Sequence, residues 1–568
     1  MTPTWQRIAI PLVLFIGAAV LLLANIDEPS RIYFDETYYV DDARDYLDQG
    51  VEASFAVHPP VGKWIIGASI SVFGDDAFGW RAFGALSGAL IVVLAYFIGL
   101  RLFRRTGPAV LAALLVLTDG LFIAQARITM LDIYLALFVT LGVFLLLVDR
   151  DRTEPVAPVA VPAGGSADAP QQLALLEREG VTRGTPRETM PRRRHPWRWL
   201  AGVAFGLAIA TKWSGLLPWG AAGLLVVGWE LVWRRRATGR WFAGFHRAIA
   251  SILVSLVLIP IGVYTVSYVP WLVNYEHTTE GDDDCPGAAE GESDCAIGPF
   301  GRLAGLWRYQ DAMLGFHLNL EATHSYRAPA YTWPVLARPV VYYWEKCTEE
   351  RASQIPQTDE ETGEVTIPEP CIVDRGEAGE ILAVGNPALW WTFLAALPLL
   401  AAGAVRRDGR AAVIALFWGA QYLPWLVISR PLFLFYMTPN IVFLALGVAY
   451  AVRYVDEGQP LLWPGVGTLA GAAAGFLTGL GIEGTTITDN ADVRFIALAV
   501  GAVVGAALGA WLTRRRPAEP PRWPVGTWIG AVVAVAAAGL FIYFYPVWTG
   551  IPLEEDAIRQ RWWFDGWI

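Results

Sequence analysis

Long apolar runs separated by short polar intervals dominate this chain. Runs near residues 7–25, 81–100, 107–124, 131–148, 199–214, 216–233, 248–270, 388–404, 411–428, 432–452, 463–481, 495–513 and 525–545 each approach the length a helix needs to cross a hydrocarbon core. Some runs are short enough to merge or re-enter, so the pattern predicts an all-α polytopic membrane protein with about 11–13 transmembrane helices. No small-residue cleavage site follows the first run, which therefore reads as a retained helix and not a signal peptide. The polar intervals carry a second pattern. In "YFDETYYVDDARDYL" (33–47), Tyr39, Ala43, Tyr46 and Leu47 recur at helical spacing with acids between them. That predicts a helix over 36–47 lying on the outer membrane surface. "HPPVGKWIIGASISVFG" (58–74) predicts another interfacial helix, opened by Lys63 after the break at Pro59 and Pro60.

Charge orders these segments. The chain of 568 residues is 55% hydrophobic and only 17% charged, below the charge expected of a soluble protein. With the N-terminus on the cytoplasmic side, the cytoplasmic loops carry Arg101, Arg104 and Arg105, Arg192 to Arg194, Arg234 to Arg236, Arg406, Arg407 and Arg410, and Arg514 to Arg516. The opposite loops carry few bases, as the positive-inside rule requires. Residues 26–80, 273–385 and the C-terminal tail then lie outside. All four cysteines, Cys285, Cys295, Cys347 and Cys371, fall in the 273–385 loop. An even, clustered set in a polar loop points to two disulfides in an oxidising compartment. Short loops favour Cys285–Cys295 and Cys347–Cys371 among the three connectivities. No CxxC pair points to zinc.

The domain reading follows. Residues 1–148 form an N-terminal membrane region whose first outer loop is 26–80, and the Pro-, Ala-, Gly- and Arg-rich stretch 149–197 is a disordered cytoplasmic linker. Residues 198–272 are membrane helices, 273–385 an outer subdomain with disulfides, 386–545 a C-terminal membrane region and 546–568 an outer aromatic tail. No fixed-period repeat is evident, which argues against a solenoid and against the repeat architecture of many transporters.

The charges at the outer ends of spans carry the chemistry, because an ionisable group at membrane depth is costly unless paired or functional. Asp35 and Glu36 follow span one, Arg127 and Asp132 lie between spans three and four, Lys212 between spans five and six, and Arg430 between spans nine and ten. A carboxylate can serve as a base or position a hydroxyl. Isolated cations can hold a lipid phosphate and stabilise it as a leaving group. A lipid-linked sugar phosphate would use both, and no nucleotide-binding signature is present. Taken singly, each cation would also serve as a snorkelling anchor. Asp41, Asp42, Asp45 and Asp48 read as a solvated helix face. His317 and His324 read as structural, off metal-ligand spacing, so a divalent cation is weakly supported and no cofactor is expected.

Read together, "FDETYYVDDA", "HPPVGKWII", "ARITMLDIYLALF", "TKWSG", "EATHSYRAPAYTWPVLARPVVYYW" and "QYLPWLVISRPLFLFYMTP" resemble the bacterial protein O-mannosyltransferases, in order from about residue 30 to 440. The resemblance implies a GT-C membrane fold and an inverting transfer of mannose from polyprenyl (dolichyl-type) phosphate mannose to a Ser or Thr hydroxyl of a protein crossing the membrane. It maps the family's acidic pair onto Asp35 and Glu36, with Asp35 as the base and Glu36 its neighbour in positioning, and its basic residues onto Arg127 and Lys212. Arg430 joins them as a third phosphate ligand. Tyr39, His58, Lys63, Asp132, His324 and Arg338 lie in the same stretches and are candidate substrate contacts. Eukaryotic members carry a β-trefoil in the large outer loop, for which 273–385 is too short. A related enzyme glycosylating a lipid or polysaccharide, or a flippase, stands as the alternative. Membrane lipids are expected partners; nucleic acid is not.

Overall fold

The computed structural model describes residues 6–52, 57–153, 195–289, 297–320, 324–347, 357–358, 365–366, 371, 373–458 and 524–567, with isolated positions between 501 and 511. Its helices are α1 (Gln6–Leu23), α2 (Glu36–Asp48), α3 (Val61–Phe73), α4 (Ala77–Phe103), α5 (Thr106–Leu117), α6 (Gly120–Arg127), α7 (Leu131–Thr153), α8 (Pro196–Thr211) and α9 (Leu216–Thr238). They continue with α10 (His246–Val266, π-helical over Val254–Leu258), α11 (Val269–Val273), α12 (Thr279–Asp284), α13 (Pro299–Asn319), α14 (Pro387–Val405), α15 (Gly409–Tyr422), α16 (Ile441–Asp456), α17 (Val525–Thr549) and α18 (Glu555–Arg559).

Eleven of the thirteen apolar runs fall on these helices. Among the described residues, seven helices are long and apolar enough to cross a membrane alone, and the bent pair α5–α6 makes an eighth. Helices α1, α8 and α15 are shorter, and the run at 463–481 lies outside the described residues, as does most of 495–513. The bulk of the 149–197 linker also lies outside them, although 149–153 extend α7 and 196–197 open α8.

The helices are apolar on both sides. In α1, Leu14, Ala18 and Leu22 are buried at four-residue spacing while Ile8, Leu12, Val13, Ile16 and Val20 are exposed. A helix that is apolar all round needs an apolar medium on its free face, which the bilayer supplies. The bend in α5–α6 is 60°. Buried Asp119 holds it, accepting from the backbone N–H of Phe122 (3.0 Å) and Asn386 (2.8 Å) and from the indole of Trp390 (2.8 Å). The next residue is glycine because a Cβ there would sit 2.0 Å from the Trp548 ring of α17.

The 273–385 loop adds strands to the helical pattern. β1 (Val340–Lys346) pairs antiparallel with β4 (Glu377–Ala383), with an irregularity between Val341 and Tyr343. β4 pairs in turn with β5 (Leu553–Glu554) from the C-terminal tail, and β2 (Gln357–Thr358) pairs with β3 (Val365–Thr366). Cys347–Cys371 is a disulfide, as expected. Cys285 is also disulfide-bonded, but the pairing with Cys295 lies outside the described residues. At the opposite end of the bundle the arginine-rich termini are tied together. Arg101 meets Asp151 (3.0 Å), Arg198 joins Asp149 and Glu230 (both 3.3 Å), and Arg410 meets Glu457 (2.7 Å).

Candidate active site

Loop 24–35 is wrapped around one arginine. Arg81, in the second turn of α4, is fully buried and donates to the carbonyls of Ile26 (3.0 Å), Pro29 (2.8 Å) and Arg31 (3.0 Å). It also grips Glu36 with two bonds, of 2.8 and 2.9 Å. Glu36 accepts further from the backbone N–H and hydroxyl of Thr129 (2.9 Å each) and from the Tyr33 N–H (3.3 Å). A carboxylate offers about four lone-pair directions, so five donors saturate it. All five donors belong to the loop and its supports, so Glu36 orders loop 24–35 beside Asp35.

Asp35 occupies the N-cap position of α2. Neighbouring residues on a helix diverge by about 100°, so pinning Glu36 inward turns Asp35 to the other side. There its carboxylate takes no hydrogen bond among the described residues. Burial raises its pKa to about 6; Lys212 pulls it back and Asp132 adds to the rise.

Lys212 is the cation that acts on Asp35. Lys212, the extended C-cap of α8, pairs with Asp132 of α7 at 2.8 Å. Its ammonium lies 5.4 Å from the Tyr436 ring and 5.8 Å from that of Phe435. Arg430 donates to the Tyr436 hydroxyl (2.8 Å), so the two cations converge on one aromatic side chain. The other arm of Arg430 lies 2.8 Å from His317 Nδ1. An arginine can only donate, so Nδ1 accepts and the ring proton sits on Nε2, which donates to the Val57 carbonyl (3.0 Å). Burial first, and Arg430 next, lower the His317 pKa to about 4. His317 stacks on His58 at 5.4 Å, and His58 faces Tyr39 at 6.2 Å. Burial and the surrounding cations, Lys212 foremost, hold His58 well below the usual histidine range.

Asp35, Tyr39, His58, Asp132, Lys212 and Arg430 thus share one site. Four other candidates stand apart. Arg127 is buried and donates to the carbonyls of Leu22 (2.9 Å), Ala24 (2.7 Å) and Asn25 (2.9 Å), capping the C-terminus of α1. Lys63 is fully buried between Asp42 (3.0 Å) and Glu52 (2.5 Å), a structural triad that also removes Asp42 from the solvated face expected of it. His324 and Arg338, with Ser325 and Arg327, line a separate open cleft of ≈ 470 Å³. His324 meets the ring of Phe433 at 5.0 Å, and Phe433 meets Tyr436 at 6.0 Å, so one aromatic side chain separates cleft from site. Among the described residues no cluster of three or more His, Cys, Asp or Glu has the geometry to hold a metal ion.

Sequence reasoning missed Arg81, Phe435 and Tyr436, and gave His317 only a structural role. Arg81 carries the same signal as Lys212, a charge at the end of a span. It was hidden by being counted as the first residue of that span.

Residues 12–155 match the family model of dolichyl-phosphate-mannose–protein mannosyltransferases, and residues 302–411 match the C-terminal four-span region of protein O-mannosyltransferases. The polyprenol-phosphate-mannose–protein mannosyltransferase of Mycobacterium tuberculosis is 32% identical over 464 residues, covering 79% of this chain and 80% of that protein. The Corynebacterium glutamicum protein of the same name is 28% identical over 445 residues, covering 74% and 76%. In fold, the chain is similar to the Saccharomyces cerevisiae Pmt1–Pmt2 complex, a protein O-mannosyltransferase solved bound to its sugar donor. The TM-score is 0.64 at 12% identity, with 100% of this chain and 93% of that one covered. A GT-C bundle, an ordered set of shared motifs and identity spread over most of the chain agree: this protein belongs to the polyprenol-phosphate-mannose–protein mannosyltransferase family.

Proposed function

We propose that Asp35 is the general base and that Lys212 and Arg430 bind the donor phosphate in an inverting transfer of mannose. The donor is polyprenyl phosphate mannose and the acceptor a Ser or Thr hydroxyl of a secreted or membrane polypeptide. The hydroxyl oxygen attacks the anomeric carbon as the bond from that carbon to the phosphate oxygen breaks. The hydroxyl proton passes to Asp35, and the bonding pair leaves with the phosphate. The donor phosphodiester carries one negative charge and the departing monoester gains a second, so cations fixed at the phosphate stabilise the transition state more than the ground state. Asp132 holds the Lys212 ammonium in place, and the rings of Phe435 and Tyr436 shield it from water.

The observation that carries this reading is a half-buried carboxylate free of hydrogen bonds among the described residues, within the field of Lys212, whose ring neighbour Tyr436 is also held by Arg430, in a site lined by Tyr39 and His58. The arginine-rich ends of α4, α9 and α14 lie at the other end of the bundle, which supports an extracytoplasmic site in a plasma membrane with the N-terminus inside. The Cys347–Cys371 disulfide, in the loop on the Asp35 side, supports the same orientation.

Single-turnover transfer to a Ser/Thr peptide, measured beside donor binding, tests the assignment. Asp35→Asn is expected to abolish transfer and keep donor binding, whereas Lys212→Ala weakens both donor binding and transfer. Substantial turnover by Asp35→Asn would overturn the base, and unchanged donor kinetics in Lys212→Ala would overturn the phosphate site.

A further inference from the structure

Helix α13 has two faces that the reaction leaves unexplained. On one, Phe300 is 89% exposed, Trp307 76% and Leu318 72%, and Leu303 and Leu314 fill the same stripe at helical spacing. Asp311, one turn after Trp307, is an exposed carboxylate within this stripe, and its neighbour Arg308 is paired with Asp284 at 2.7 Å. On the opposite face Tyr309 and Met313 are buried, and Arg302 donates to the carbonyls of Leu272 (2.7 Å) and Val273 (2.8 Å). The helix is docked against α10 and α11 by this inner side. Tyr264 donates to Gln310 at 2.6 Å, and the Tyr268 and Tyr309 rings meet at 6.0 Å.

The exposed stripe does not stand alone. Leu258, Ile261 and Val266 of α10 and Val269 and Val273 of α11 are also exposed, so the apolar surface of a membrane span runs on through α11 to α13. Arg302, Arg308, Asp311 and His317 make α13 too polar to span a bilayer. A helix whose aromatic and aliphatic face is broken by one carboxylate, and which continues a lipid-facing span, suits the bilayer surface better than its interior. Its inner face reaches the reaction site. His317 bridges Arg430 and the Val57 carbonyl, and two turns earlier Tyr309 donates to Glu52 of the separate Lys63 triad.

We propose that α13 is a bilayer-seated splint. Phe300, Leu303, Trp307, Leu314 and Leu318 rest in the phospholipid surface, and His317, a positioning residue, transmits that seating to Arg430. The catalytic consequence rests on the phosphate-binding reading of Arg430; the lipid contact does not, so the two can fail separately.

The test uses the full-length enzyme in phospholipid nanodiscs. A photo-cross-linking amino acid at position 307 is expected to yield a phospholipid adduct by mass spectrometry. An adduct to a second copy of the chain or to acceptor polypeptide, or no adduct at all, overturns the bilayer seat. The double variant Leu303→Glu/Trp307→Glu is expected to raise the donor KM about tenfold, the effect of losing one charge-assisted hydrogen bond. His317→Ala should do the same, and His317→Gln should recover most of the loss, because an amide can both accept from Arg430 and donate to Val57. A lipid adduct with an unchanged donor KM in the double variant overturns the coupling. Equal damage by Gln and Ala at position 317 overturns the positioning role.

Discussion

Asp35 and Glu36 are adjacent carboxylates with opposite fates, and their environments predict opposite responses to the same neutralising change. Asp35 has a pKa raised to about 6, chiefly by burial, so it is protonated as the pH falls below that value. A base must be ionised, and transfer is expected to fall with the same midpoint in a pH–rate profile of single-turnover transfer. Stability runs the other way. The folded state binds the Asp35 proton more tightly than the unfolded state, so between the ordinary aspartate range and about pH 6 this residue makes the protein less stable as pH rises. Asp35→Asn removes the desolvated charge, so the inactive variant is expected to melt higher than wild type at pH 8, the difference vanishing near pH 4. A lower melting temperature at pH 8 would mean that the carboxylate is paired. Glu36 is the reverse case. Glu36→Gln leaves Arg81 buried with an uncompensated charge, and breaking a buried pair from one side costs about 3–5 kcal/mol. Thermal melting should show a large loss for Glu36→Gln; a stable but inactive variant would return Glu36 to the chemistry.

At the scale of elements, the sequence was most informative where a pattern is local. Helices over 36–47 and 58–74 were readable from spacing and from Pro59 and Pro60, and they stand as Glu36–Asp48 and Val61–Phe73. The break in the third span was not readable, because the partners that hold Asp119 come from Asn386 and Trp390, far along the chain. Nor was the sheet, whose third strand is two residues of the C-terminal tail, too short to carry an alternation. The broken span has a consequence that can be measured. Gly120 is the contact point between α6 and Trp548, and a Cβ at 2.0 Å from that ring forces the elements apart. Gly120→Ala is expected to cost about 1–3 kcal/mol or more, as overpacking does elsewhere. An unchanged melting temperature would show that α17 can move away freely.

At the scale of the whole molecule, the site is assembled from segments that the sequence displays separately. Asp35 and Lys212 were legible because each lies in a short stretch of chemically specific residues next to a span. Their meeting was not, and neither was the link from Arg430 to His317, which are 113 positions apart. Charge distribution, by contrast, is a property of the whole chain and survives without contacts. α7 makes this a single test, since Asp132 lies in its first turn beside Lys212 while Asp149 and Asp151 near its C-terminus meet the arginines of α8 and α4. A helix rises about 1.5 Å per residue, so these ends stand roughly 27 Å apart, close to the thickness of a hydrocarbon core. Fixing one end on a side of the membrane fixes the other. Ser166 lies in the segment joining α7 to α8 and Gln560 in the exposed C-terminal tail. With a membrane-impermeant maleimide, Gln560→Cys is expected to label in intact cells and Ser166→Cys only in inverted vesicles. The reverse pattern would place Asp35 in the cytoplasm, away from polypeptides that have crossed the membrane. Labelling of both positions from one side would require an odd number of crossings between them to become even, and would redraw the span count through 463–513.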